Sequence, residues 1–265
     1  MRETLATLAV CAALLAGAAP AQAATMDPVQ ALKAVLAVGH GVHFTETATL
    51  LEGADERAER RRKGIFEFDA QGGVKALDVT TTGGEYGRER VIGFNHDIGG
   101  TGYQSGGLVR KWLKKGKTWW KDSHQMHLWH TGLLGYDEQL VNPAEPTTLA
   151  VLLKNGRRSG DTVTGTVTFK ELEHASRWAE HSSHVGWDRD TRLTYTLTLT
   201  SSGLVGRVQS MFTFSRGLDE LVGKTLHVDT HYSRWGGKVS IKAPDPRRTT
   251  TELCIKGLCT WRLPG

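Results

Sequence analysis

The chain has 265 residues and a formal net charge of +5, from 33 lysines and arginines against 28 aspartates and glutamates. With 39% hydrophobic and 23% charged residues it has the composition of a globular protein, which argues against a disordered chain, a coiled coil or a multi-span membrane protein. The positive excess is small and dispersed, so a dedicated nucleic-acid binder is not indicated.

Residues 1–23 read as a secretory signal peptide. Arg2 begins it, an Ala/Leu-rich run follows over 5–19, and Ala21-Gln22-Ala23 is a small-x-small cleavage site. The run is too short, and too softened by Gly17 and Pro20, to span a bilayer. Cys11 has almost no apolar run before it, so it does not suit a lipid anchor. The expected mature product is a secreted or cell-envelope protein. It forms one domain over 24–265 with a short tail at 247–265.

The first mature element is a helix. Asp27 suits the N-cap, Pro28 the first helical position, and Val29, Leu32, Val35 and Leu36 recur at helical spacing before Gly39. Strand patterns follow at 42–51, 60–69 and 74–82, the last two joined by the Gln71-Gly72-Gly73 turn. Further strands are expected at 86–95, 98–104 and 117–121. Residues 123–142 are His- and Gly-bearing and read as a loop. Thr147 or Thr148 caps a helix through Leu149, Leu152 and Leu153, closed by Asn155-Gly156. A strand is expected at 161–172 and a polar loop or short helix at 173–190. Residues 191–200 alternate cleanly, with Leu193, Tyr195, Leu197 and Leu199 opposite a row of threonines. Strands at 204–214, 225–235 and 239–241 complete the series.

The sum is an α+β fold, one antiparallel sheet of roughly ten strands with two or three helices. A sheet of that size with one apolar face must curl or be covered. Cys254 and Cys259 flank a Gly257 turn. In an oxidising compartment the close pair reads as a disulfide, and less well as half of a zinc site.

Several stretches resemble the LppX/LprG-type mycobacterial envelope lipoproteins, which share the LolA-like fold. Arg90-Val91-Ile92-Gly93 with Gly102-Tyr103, ahead of Gly116-Lys117-Thr118-Trp119, resembles a strand pair of that family. Asn142-Pro143 before Leu149 and Leu152 resembles its second helix start, residues 191–214 its paired long strands, and His231 to Pro244 its closing strand. The resemblance covers most of 28–246. It implies a curved half-barrel covered on its concave side by helices, whose hollow binds lipid without catalysis. The family's anchoring Cys is missing here. The two His-bearing insertions and the Cys tail are extra.

Four constellations bear on function. His124, His127 and His130, spaced by three, could join His181 and His184 around a metal if the two loops meet, although no His-Glu-x-x-His is present. The bland alternative is two solvated insertions. Lys111, Trp112, Lys114, Lys115 and Lys117 could dock on a membrane or another anionic surface. Equally, the tryptophans could pack inward while the lysines stay wet. No nucleophile elbow, phosphate loop or dinucleotide fingerprint occurs.

The fourth is the apolar face itself. Leu32, Val35, Leu36, Phe66, Phe68, Val91, Leu197, Leu199, Phe212 and Phe214 must share an interior, and composition alone does not separate a filled core from a cavity lining. The resemblance favours a cavity. The leading expectation is a secreted, monomeric, non-catalytic carrier or sensor of a lipid or other hydrophobic ligand. It would need no cofactor and no nucleic-acid partner. The alternatives are a metal-dependent hydrolase on the His-rich loops and an envelope interaction protein using the Lys/Trp run.

Overall fold

The computed structural model describes residues 26–53, 55–83, 87–94, 100–122, 139, 141–181, 188–215, 219, 221–255 and 258–260. The signal-peptide reading of residues 1–23 lies outside them.

Helix α1 (Pro28–Val35) forms where its caps placed it, with Val29 N donating to Asp27 Oδ1 at 2.9 Å. The chain leaves the helix at Leu36 and turns at Gly39, whose φ of 73° is in the region glycine adopts freely. The strands β1 (His40–Glu52), β2 (Asp55–Phe68) and β3 (Val74–Gly83) then run as a meander. Strands β4 (Glu89–Phe94), β5 (Thr101–Gly106) and β6 (Trp119–Asp122) continue it.

Helix α2 (Pro146–Asn155) leads straight into β7 (Gly156–Ser159), a strand the sequence pattern did not announce. Strand β8 (Thr162–Thr168) is shorter than the expected 161–172 because a capping box stops it. Thr168 Oγ1 accepts from Glu171 N at 3.2 Å, Glu171 Oε2 accepts from Thr168 N at 2.8 Å, and α3 (Phe169–Ala175) begins there. Helix α4 (Arg177–His181) follows, then β9 (Arg192–Leu199), β10 (Val205–Thr213) and β11 (Thr225–Lys238).

The expected strand at 239–241 is not formed. Instead the chain leaves the sheet and crosses its outer face. Val239 N donates to Gly39 O at 2.8 Å, and Ile241 N donates to Glu67 Oε2 at 2.8 Å. It then becomes β12 (Thr249–Thr250), while β13 (Leu253–Ile255) and β14 (Leu258–Thr260) form the disulfide hairpin.

Twelve strands form one sheet in the order β12-β6-β5-β4-β3-β2-β1-β11-β10-β9-β8-β7, antiparallel except for β12 against β6. The eight strands from β4 to β8 would measure about 34 Å across if flat, at roughly 4.8 Å per strand. Yet inward residues from Val91 to Val163 join a single core with all four helices. The sheet curls around its helices, giving the α+β half-barrel that the alternation required.

Helix α1 seats on one end of the curl. An added Cβ at Gly236 would lie 3.2 Å from Val35 Cβ, and one at Gly72 would lie 2.8 Å from Leu36 Cδ1. Those two glycines let the helix approach the sheet.

Candidate functional site

The ten apolar residues expected to line a ligand cavity lie in or against one core, and of them Leu36 alone lines the cavity described below. Leu32, Phe66, Phe68, Val91, Leu197, Leu199, Phe212 and Phe214 are buried in the main core, and Val35 and Leu36 pack half-buried at its margin. Phe66, Phe68 and Leu197 are 0% exposed, so side chains rather than open space meet them here. Aromatic contacts tie the layers together. Phe66 meets Trp178 of α4 edge-on at 5.3 Å, and Phe169 of α3 meets Phe212 at 5.0 Å.

Polar groups are set into this apolar interior. Glu46 and Arg62 are register partners on the inward faces of β1 and β2, with side chains 0% and 6% exposed. Arg62 Nε donates to Glu46 Oε1 at 2.6 Å, and Thr230 Oγ1 donates to Glu46 Oε2 at 2.7 Å. Tyr232, two residues on, is wholly enclosed. Burial first, and then the Glu46 charge against the opposing Arg62, pushes its phenol well above the usual range. Its hydroxyl donates to Gln139 Oε1 at 3.3 Å, while Trp178 Nε1 donates to Gln139 O at 2.8 Å.

Two amide donors remain. Gln139 Nε2 and Asn142 Nδ2 are buried and have no acceptor among the described residues. Asn142 spends its other end on Ala144 N at 3.0 Å. An unmet buried donor costs about 1–3 kcal/mol, so each calls for an acceptor beyond the described residues.

A cavity of about 650 Å³ opens where the helices meet the sheet end. Leu36, the β2–β3 turn, the start of α2 and the α3–α4 junction surround it, and Lys33, Asp69, His174 and Arg177 make its rim polar. Glu145 lies in its wall. Its carboxylate accepts from Thr148 Oγ1 at 2.8 Å, from Ser176 Oγ, and from Trp178 N at 2.9 Å, tying α2 to α3 and α4.

Sequence reasoning passed over Glu46, Arg62, Gln139 and Glu145. For the first two the signal was present. In β1 the inward set Val42, Phe44, Glu46, Ala48 interrupts an apolar alternation with a carboxylate. In β2, Arg62 stands four residues before Phe66, on the same face.

The Lys/Trp run forms a 3-10 turn (Val109–Lys111) and leads into strand β6. Trp112 packs half-buried against a satellite core of Val109, Trp120 and Leu253. Lys114 pairs with Glu252, and Lys117 Nζ donates to Arg247 O at 2.9 Å. Lys111 and Lys115 are exposed.

Of the histidines considered for a metal, His124, His127, His130 and His184 lie outside the described residues, as does the side chain of His181, which ends α4. Among the described residues no group of three or more His, Cys, Asp or Glu could hold a metal ion. Cys254 and Cys259 are bonded to each other. No described helix is long and apolar enough to cross a membrane.

No protein-family model and no curated protein matches this chain. Among solved structures it is similar to a DUF1329 family protein from Desulfovibrio piger, at 9% identity and TM-score 0.36, covering 81% of this chain and 95% of that one. It is also similar to a putative outer membrane lipoprotein-sorting protein domain from Vibrio parahaemolyticus. That likeness is at 10% identity and TM-score 0.28, over 78% of this chain and 90% of the other.

Proposed function

We propose that this protein is a secreted, non-catalytic carrier or sensor of an amphiphilic molecule, held between the curled sheet and its helices. The observation that carries this is the pair of buried amide donors, Gln139 Nε2 and Asn142 Nδ2, that find no acceptor among the described residues of a largely apolar interior. A ligand with an apolar chain and an oxygen acceptor, such as an acyl ester or a fatty acid, satisfies both features at once. Its chain gains about 0.8 kcal/mol per buried methylene.

Entry is at the 650 Å³ cavity beside Leu36, whose polar rim suits a headgroup. The interior is packed around Phe66 and Phe68, so admitting a chain requires a helix to move. Helix α1 is the candidate. It is eight residues long, contributes Leu32 to the core, and joins the sheet through the turn at Gly39.

The test is to purify the mature protein from its native secreted fraction, extract it with organic solvent, and analyse the extract by mass spectrometry. A stoichiometric acyl lipid is expected. An empty extract, repeated after incubation with total envelope lipids, overturns the carrier reading.

A further inference from the structure

The outer face of the sheet has a different chemistry from the inner one. Strand register aligns outward residues into rows that run across the strands. One row reads Thr198, Arg207, His231, Thr45, Lys63, Thr80, Arg90, Ser105, each the direct partner of the next. Beside it runs Gln209, Asp229, Thr47, Arg61, Thr82. Over Thr45, Lys63, Thr80, Arg90 and Ser105 hydroxyls and cations alternate from strand to strand, and the stretch from His231 to Arg90 spans about 19 Å.

Two adjoining depressions of about 410 and 440 Å³ lie on these rows, and both are lined by Thr45, Lys63, Thr80 and Arg88. Arg61, Arg90 and Arg234 extend the basic lining. Among the described residues the outward carboxylates of the lining are Asp78 and Asp229, and both are engaged by bidentate arginines. Arg90 reaches Asp78 at 2.8 and 2.6 Å, and Arg207 reaches Asp229 at 2.8 and 2.5 Å. The local field is positive although the whole chain carries only +5.

Backbone geometry points the same way. Arg234 has a φ of 56°, the single non-glycine residue with positive φ among the described residues. It sits where the β1–β11 register slips between Gly41 and His43. Such a bulge re-aims a side chain and holds the backbone in a strained conformation. Here it sets an exposed guanidinium at the edge of the trough. Burial, and then the Arg234 charge, lower the pKa of neighbouring His43.

We propose that this outer trough binds an acidic polysaccharide, a chain carrying carboxylate groups among hydroxyls. The guanidinium groups of Arg88 and Arg234 and the Lys63 ammonium match the carboxylates. The threonine rows match the hydroxyls. Among the described lining residues the outward rings are the imidazoles of His43 and His231, with no Phe, Tyr or Trp to form the stacking platform of a single-stranded nucleic-acid site. Ile65 is the one outward apolar side chain among the described lining residues, which is too little for insertion into a bilayer. This site lies on the opposite face of the sheet from the amphiphile site and is independent of it.

The test is calorimetric titration of the full mature chain with oligogalacturonate, with neutral maltodextrin and a single-stranded oligonucleotide as controls. Oligogalacturonate should bind at low salt, more weakly as salt rises. The double variant Lys63→Glu, Arg88→Glu should lose roughly tenfold or more of that affinity. Its thermal melt should match the wild type, since both side chains are exposed. The variant Lys111→Glu, Lys115→Glu, which alters the other basic patch, should bind as the wild type does. Absence of oligogalacturonate binding overturns the proposal. So does loss confined to the Lys111/Lys115 variant, or equal binding of either control. If the Lys63/Arg88 variant unfolds, Thr45→Val with Thr80→Val takes its place, and undiminished binding by that folded variant also overturns it.

Discussion

Glu46 and Arg62 face each other across β1 and β2 on the apolar side of the sheet, with Thr230 of β11 donating to the carboxylate from the other flank. Both charges are out of water, so their attraction is set against a large desolvation cost. Removing one partner strands the other. Glu46→Gln, or Arg62→Met, should lower stability by about 3–5 kcal/mol. The double variant Glu46→Leu, Arg62→Met should recover most of that loss or all of it. Denaturant melts of the three variants check this. A double variant as unstable as either single one would show that the pair contributes more than it costs.

Glu145 is the clasp of the helical layer. Its carboxylate serves Thr148 in α2 and Ser176 and Trp178 at the α3–α4 junction. Glu145→Ala should cost about 1.5–3 kcal/mol, the range for hydrogen bonds to a charged group. The loss should be local. Hydrogen exchange should speed up first at Trp178 and Ala179, whose amides bond into this cluster, while β9 and β10 stay protected. Uniform acceleration through the sheet would mean that the clasp holds the whole fold and not only its helices.

The sheet was legible because its burial pattern has a period of two. Leu193, Tyr195, Leu197 and Leu199 are buried as their alternation with threonine requires. Helix α1 was legible through Asp27 and Pro28. Strand β7 was not, since Gly156-Arg157-Arg158-Ser159 has no apolar face to announce it. Its first residue, Gly156, lies so close to Val163 that an added Cβ would fall 2.4 Å from the valine Cγ1. The pattern over 161–172 overstates the strand because Val163, Val167 and Phe169 keep the alternation going while the Thr168–Glu171 box has already turned the chain. The outer trough depends on register between strands far apart in sequence, such as Thr45 with His231, and no local pattern carries that.

The disulfide closes a short loop, Cys254 to Cys259, five residues apart. Its stabilisation by loop closure is about 2 kcal/mol. It should act on the satellite core, where Leu253 packs with Val109 and Trp120, and leave the main core alone. Reduction, or Cys254→Ser with Cys259→Ser, should speed hydrogen exchange at the Cys254 amide, which donates to Trp112 O at 2.7 Å. The global melting transition should move little. A collapse of the main transition on reduction would show that the two cores unfold as one.

Alkaline pH supplies the last test. Tyr195 is buried on the inward face of β9, and its hydroxyl donates to Leu152 O of α2 at 2.5 Å. Burial is the larger cause, and the Glu171 charge the lesser one, that pushes its phenol from 10.0 up to about 12. The folded chain thus holds this proton more tightly than the unfolded one. The stabilisation is fully present below pH 10 and disappears as pH rises toward 12. Two units correspond to about 2–3 kcal/mol. Tyr195→Phe should therefore be less stable at neutral pH by about 0.5–1.5 kcal/mol, having lost the bond to Leu152. Its stability should also fall less steeply above pH 10. The variant keeps the share of Tyr232, whose phenol is raised by its own burial, so some alkaline loss persists. Urea melts of both proteins from pH 8 to pH 11.5 measure the difference. Parallel curves would mean that the Tyr195 proton does not link α2 to the sheet.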